Sequence, residues 1–125
     1  MLLKGVSIKP LYPVSEFRLM GDIDILIRES QYDKIKELIV PLGYVEILES
    51  DHELVWESNT GITVEFHKRL IPSYNDDYYA YYYNPWEKAV CKNGYRYSMT
   101  PEDEYIYIFT HLTKHYRDGG IGLRQ

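Results

Sequence analysis

The sequence predicts an α/β (α+β) domain, a mixed sheet that contains an antiparallel meander, with helices packed mainly on one face. Three observations carry this. Residues 22–27, DIDILI, alternate and then turn wholly apolar, as a strand entering a core does. Three runs rich in β-formers, 44–50, 52–58 and 62–70, follow one another across tight-turn material. Two amphipathic segments, 30–42 and 100–118, read as helices, and packing them on one face of the sheet closes a layered core.

The bulk numbers bound the answer. A chain of 125 residues fits one domain. A domain of that size buries roughly 65–70% of the surface of its unfolded chain, enough to fold without staples. The net charge of −5 argues against a broad nucleic-acid surface and leaves room for a small basic pocket. One cysteine, Cys91, rules out an internal disulfide and suits a reducing cytosol, so a cytoplasmic location is expected. MLLKGVSIKPLYP has a lysine and two prolines where a secretory leader needs an apolar stretch. No apolar run approaches the ~20 residues that span a bilayer, so no membrane partner is expected.

Taken in order, the opening 1–18 has room for a short helix, limited by Pro10 and Pro13. The strand at 22–27 follows. The helix over 30–42 has Ser30 as its expected N-cap, with Asp33 three residues on. Ile35, Leu38, Ile39 and Leu42 give its expected apolar stripe, Pro41 sits in its last turn, and Gly43 suits the position just past its end. The meander comes next. Residues 71–98 are less regular, with YRYS after KNG expected as one more short strand. Thr100 then caps a strong helix, with Pro101 at its first position and Glu102, Asp103 and Glu104 in its first turn. That helix is expected to run to about Asp118 and stop at Gly119-Gly120, and IGLRQ begins a further segment.

The chemical signal is the pair Asp22 and Asp24. Side chains alternate along a strand, so both carboxylates point to one face while Ile23, Ile25 and Ile27 point to the other. Two neighbouring carboxylates resist burial unless a cation joins them. Oxygen ligands suit Mg²⁺ or Mn²⁺. The same pattern also suits an edge strand whose two acids face solvent.

Other residues weigh less. His111 and His115 are spaced i, i+4 on the last helix, with Asp118 three further on, which is zinc-ligand spacing. No HExxH pattern and no cysteine ligand accompanies them, so a structural or pocket-lining role is expected, with His111 facing inward and no zinc. The tyrosines Tyr78, Tyr79, Tyr81, Tyr82 and Tyr83 suit stacking of a base, docking of a partner, or a half-buried connector over a sheet edge, and the connector is preferred. Trp86 is expected to anchor that connector, Cys91 to pack rather than react, and His52 to have no role.

An Asp-x-Asp strand preceded by Gly21 and followed by a helix and an antiparallel meander resembles the nucleotidyltransferase superfamily typified by polymerase-β-like enzymes. Within it, LKG, LYP, GDIDILI, VEFH and TPEDEYIYIFTHLTKH together resemble a bacterial nucleotidyltransferase family over almost the whole chain. The resemblance implies a polymerase-β-like fold and transfer of a nucleoside monophosphate from an NTP to a hydroxyl acceptor. The acceptor is unidentified, a small molecule or a protein. It implies Asp22, Asp24 and Glu65 as catalytic carboxylates that hold Mg²⁺ (or Mn²⁺). Lys4, Gly5, Ser7 and Arg18 become nucleotide-binding candidates, with Lys9 a weaker one. His67 shares the face of Glu65 and joins them as a contact to substrate or metal, or equally serves as a hydrogen-bonded strand histidine. Glu57 is the next candidate should Glu65 face the other way. Two departures stand out. Val6 separates Gly5 from Ser7, so the family's Gly-Ser turn is not literal. The family's flanking helical segments are missing, so residues 1–125 are expected to be one nucleotidyltransferase domain in fragment or minimal form. The alternative is a non-catalytic, antitoxin-like binding module on the same fold.

Overall fold

Asp22–Leu26 forms the first strand, β1, and pairs in parallel with β4, Thr63–His67, in the computed structural model. The model describes residues 1–18 and 20–117, and the chain divides into two compact units, Met1–Asn84 and Pro85–Gln125. In the first unit, Tyr44–Glu49 (β2), Glu53–Ser58 (β3) and β4 make the expected antiparallel meander, and the sheet order is β1-β4-β3-β2. Gly61, at φ 79°, turns the chain between β3 and β4, a conformation that suits a residue without Cβ. The molecule is thus mixed α/β around a mixed sheet, with no described helix long and apolar enough to cross a membrane.

One face of this sheet is the core. Ile27, Ile39, Leu54, Trp56, Val64 and Phe66 pack together, with Ile23, Ile25, Tyr32, Ile35 and Tyr44 against them. Ile35 and Ile39 come from helix α2, Tyr32–Ile39, so this helix lies on the apolar face as expected. Its ends differ from the reading. Ser30 is not the N-cap: Glu29–Gln31 form a 3₁₀ turn, and Gln31 occupies the cap without a side-chain bond. Val40–Leu42 form a second 3₁₀ turn, which accommodates Pro41. Leu38, beside the Ile35–Ile39 stripe within α2, and Leu42, in that turn, are exposed, at 70% and 73%. Gly43 closes the segment in the left-handed region, as its position predicted.

The N-terminus departs more. Lys4–Ile8 form a short helix, α1, for which the opening had room before Pro10, at the place where the resemblance put a glycine turn, and Lys9–Leu11 and Ser15–Phe17 form 3₁₀ turns. Before α1, residues 1–3 run antiparallel to β1: Leu3 N donates to Asp24 O at 3.0 Å and Leu26 N to Met1 O at 2.8 Å. After the sheet, Asp76–Tyr79 form a short helix, α3, within the tyrosine-rich stretch. Tyr79 meets Tyr83 edge-on, as Tyr81 meets Tyr82, and Tyr82 is buried.

In the second unit, Val90–Asn93 (β5) and Arg96–Ser98 (β6) form a hairpin rather than the single strand expected. Trp86 is half-buried and its ring meets Tyr97 edge-on. Cys91 is exposed, so it does not pack as expected. Helix α4, Pro101–Arg117, begins as predicted: Asp103 N donates to Thr100 Oγ1 at 3.2 Å. The expected stop at Asp118 and Gly119-Gly120, and the segment IGLRQ, lie outside the described residues.

The contrast between Leu54 and Leu38 tests this packing. Leu54 is fully buried on a central strand, so Leu54→Ala should cost about 2–5 kcal/mol in urea unfolding. Leu38→Ala should stay within about 0.5 kcal/mol, although both residues look equally central in the sequence.

Candidate metal centre

The parallel register places Asp24 beside Glu65 and Leu26 beside His67. Strand alternation then puts Asp22, Asp24, Glu65 and His67 on one face, opposite the core. Glu65 therefore lies on the face predicted for it, and Glu57 is not needed in its place. Ligand atoms of Asp24, Glu65 and His67 all lie within 4.8 Å of one another. Asp22 shares the face but stands outside this group, where Asp22, Asp24 and Glu65 were expected to converge. The reason lies in the hydrogen bonds: Asp24 Oδ1 accepts from Lys4 Nζ at 2.6 Å and from His67 Nε2 at 2.8 Å. These hold the buried Asp24 carboxylate, while Asp22 lies at the strand's exposed beginning and no hydrogen bond from the Lys4 ammonium or the His67 ring reaches it among the described residues.

The charges follow from this. Asp24 and His67 are 3% and 5% exposed. Burial pushes the Asp24 carboxyl up, but the His67 hydrogen bond and the Lys4 ammonium outweigh it and bring it down to about 2. Burial pulls the His67 imidazole down, and its bonds to Asp24 and Glu65 more than offset this, so it ends above the ordinary histidine value. Desolvation raises the Asp22 carboxyl, and the charges of Asp24 and Glu65 raise it further. His67 Nε2 also lies 3.5 Å from Glu65 Oε2, and its Nδ1 lies 3.8 Å from Glu53 Oε2 on β3.

The nucleotide-binding candidates separate. Lys4 is an ion-pair partner of Asp24, a contact across 20 residues that the sequence did not signal. Ser7 Oγ donates to Lys4 O at 2.8 Å, closing a turn of α1. A Cβ on Gly5 would meet Met20 Cγ at 3.3 Å and Sδ at 3.5 Å, with an Arg18 terminal nitrogen at 3.8 Å. Gly5 thus admits Arg18 and Met20 close to α1. Arg18 Nε is buried without a hydrogen-bond partner among the described residues. Lys9 sits in the 3₁₀ turn after α1. Glu53 was missed as a neighbour of the site, although alternation along HELVW places it on the polar face, opposite Leu54 and Trp56. His52, given no role, lies 3.1 Å from Asp51 Oδ1 and 3.5 Å from Glu53 Oε2. In the second unit, His111 and His115 bring their Nε2 atoms to 2.7 Å, so one ring donates to the other.

The structure is thus an α/β protein with two carboxylates and an imidazole grouped on one face of a mixed sheet, donor types that suit a divalent cation. Residues 1–125 match the model of a family described as uncharacterised nucleotidyltransferase, and the chain belongs to that family. No curated protein and no solved structure matches it.

The two aspartates, read alike in the sequence, separate in stability. Both Asp→Asn changes were expected to leave the fold intact or slightly more stable, but Asp24 is doubly paired. Its folded pKa is lowered, so its contribution is complete above the ordinary carboxyl value near pH 4 and is lost as pH falls toward about 2. In chelator at pH 7, Asp24→Asn should cost about 2 kcal/mol in urea unfolding, shrinking to nothing near pH 2. Asp22 has a raised pKa, so its charge opposes folding once pH rises through that value. Asp22→Asn should be neutral or stabilising at pH 7, and a clear loss there contradicts this electrostatic account.

Proposed function

We propose that this protein is a divalent-metal-dependent nucleotidyltransferase on a polymerase-β-like fold, moving a nucleoside monophosphate from an NTP to a hydroxyl acceptor. The observation that carries this reading is the Asp24–Glu65–His67 group on one sheet face, in a chain of the nucleotidyltransferase family. Parallel pairing of the Asp-x-Asp strand with the Glu65 strand, followed outward by antiparallel strands, supports the fold assignment. The donor set fits a divalent ion, because its ligand atoms already lie within bonding reach of one point and the Lys4 ammonium now supplies positive charge there.

Asp24 and Glu65 would hold the ion, with Asp22 at the solvent side of the same face. Bound there, it would offset the triphosphate's charge and lower the acceptor hydroxyl's pKa. The acceptor oxygen attacks the α-phosphorus, the bond from that phosphorus to the bridging oxygen breaks, and pyrophosphate leaves. Glu65, half-buried and next to His67, is the base that takes the hydroxyl proton. Arg18, with its unpartnered buried Nε, and Lys4, once released from Asp24, are the cations for the triphosphate. The acceptor is a small molecule or a protein hydroxyl.

One observation favours the binding-module reading. Helix α1 replaces the glycine turn, and Lys4 already neutralises Asp24. Pyrophosphate release from an NTP panel, with Mg²⁺ or Mn²⁺ and candidate acceptors, tests the choice. Wild type should turn over, and Asp24→Asn and Glu65→Gln should each lose several orders of magnitude, because neutralising charge carries much of this catalysis. If calorimetry finds that wild type and Asp24→Asn bind metal–NTP equally, or that neither binds at millimolar ligand, the enzyme reading fails and the binding module takes its place.

A further inference from the structure

We propose that His67 is itself a metal ligand, and that the Asp24–Glu65–His67 centre selects a first-row transition ion such as Mn²⁺ or Co²⁺ over Mg²⁺. The inference rests on the nucleotidyltransferase reading for what the ion does, and only on the local geometry for its binding. Metal–ligand bonds of about 2.0–2.2 Å at right or tetrahedral angles set neighbouring donor atoms about 3–3.5 Å apart. His67 Nε2 stands 2.8 Å from Asp24 Oδ1 and 3.5 Å from Glu65 Oε2, which are separations of adjacent ligands on one ion. To bind the ion, Nε2 gives up to solvent the proton it now donates to Asp24 Oδ1, and the neutral ring keeps its proton on Nδ1. The ammonium of Lys4, 2.6 Å from the same Oδ1, acts as a tethered stand-in for that cation.

The chemistry of the donors sets the preference. Mg²⁺ seeks oxygen ligands and sheds water reluctantly. An imidazole nitrogen adds affinity for first-row transition ions, which rises from Mn²⁺ toward Co²⁺. The surroundings also suit a ligating histidine. Ligating imidazoles commonly direct their second nitrogen at a carboxylate, and His67 Nδ1 faces Glu53 Oε2 at 3.8 Å. At 5% exposure, the ring has little freedom to turn away.

The test titrates the full chain with Mg²⁺, Mn²⁺ and Co²⁺ separately, without nucleotide, by calorimetry. Co²⁺ should bind tightest, and Mn²⁺ at least about tenfold more tightly than Mg²⁺. His67→Asn should bring Mn²⁺ and Mg²⁺ to within about threefold of each other. Because that variant alters a buried partner of Asp24, pulsed electron paramagnetic resonance on Mn²⁺-loaded wild type supplies a readout independent of its folding. It should show coupling to an imidazole nitrogen. Equal or tighter Mg²⁺ binding, or Mn²⁺ bound without nitrogen coupling, overturns the proposal. Adding a non-hydrolysable NTP separates the two readings. Nitrogen-coupled Mn²⁺ unaffected by nucleotide supports this centre and counts against the transferase. Tight Mg–NTP binding without nitrogen coupling does the reverse.

Discussion

Everything at the site depends on burying one carboxylate. Asp24 sits in the interior of β1 and is almost wholly removed from water. A charge in that position is tolerated only with counter-charge and hydrogen bonds around it. Lys4 and His67 supply both through a single oxygen. They reach it from opposite directions in the chain, one 20 residues before it and one 43 residues after. The pairing thus fastens the N-terminal segment and β4 to the same strand. The backbone agrees, since residues 1–3 run antiparallel along one side of β1 while β4 pairs on the other. Residues 1–3 therefore cover the outer edge of β1 along Asp24–Leu26, which lessens the hazard an unpaired strand presents.

The sheet keeps two chemistries apart by alternation alone. Ile23, Ile25, Val64 and Phe66 face α2 and the core. Their sequence neighbours Asp24, Glu65 and His67 face the other way. A one-residue slip between β1 and β4 would send the acids into the apolar layer and the isoleucines to the polar face, so the core enforces the site's register. Rigid strands also suit the chemistry, because donor atoms must be held within a fraction of an ångström to serve a metal.

The charges around β1 are unevenly shared. Lys4 is a positive partner for Asp24 and His67 a hydrogen-bond partner, while Asp22 stays outside with its proton affinity raised.

Much of this was legible in the sequence because it follows from local pattern. Period-2 alternation sorted Asp22, Asp24, Glu65 and His67 from the isoleucines and phenylalanine between them. Gly43, Thr100 and the turn at 59–61 carry their own backbone chemistry and behaved as read. The mixed α/β class followed from the meander and the helical stripes. Other features were decided by tertiary structure. Leu38 fell outside the core because α2 turns Tyr32, Ile35 and Ile39 to the sheet and Leu38 lies to the side of that stripe, and Leu42 stands in the 3₁₀ turn beyond the helix. The close approach of Met20 and Arg18 to Gly5 joins segments more than a dozen residues apart, which the sequence does not record. Asp22 and Asp24 are indistinguishable as letters. They became different acids only when Lys4 and His67 were brought to one of them, since a pair potential depends on distance in space and the chain order does not record it.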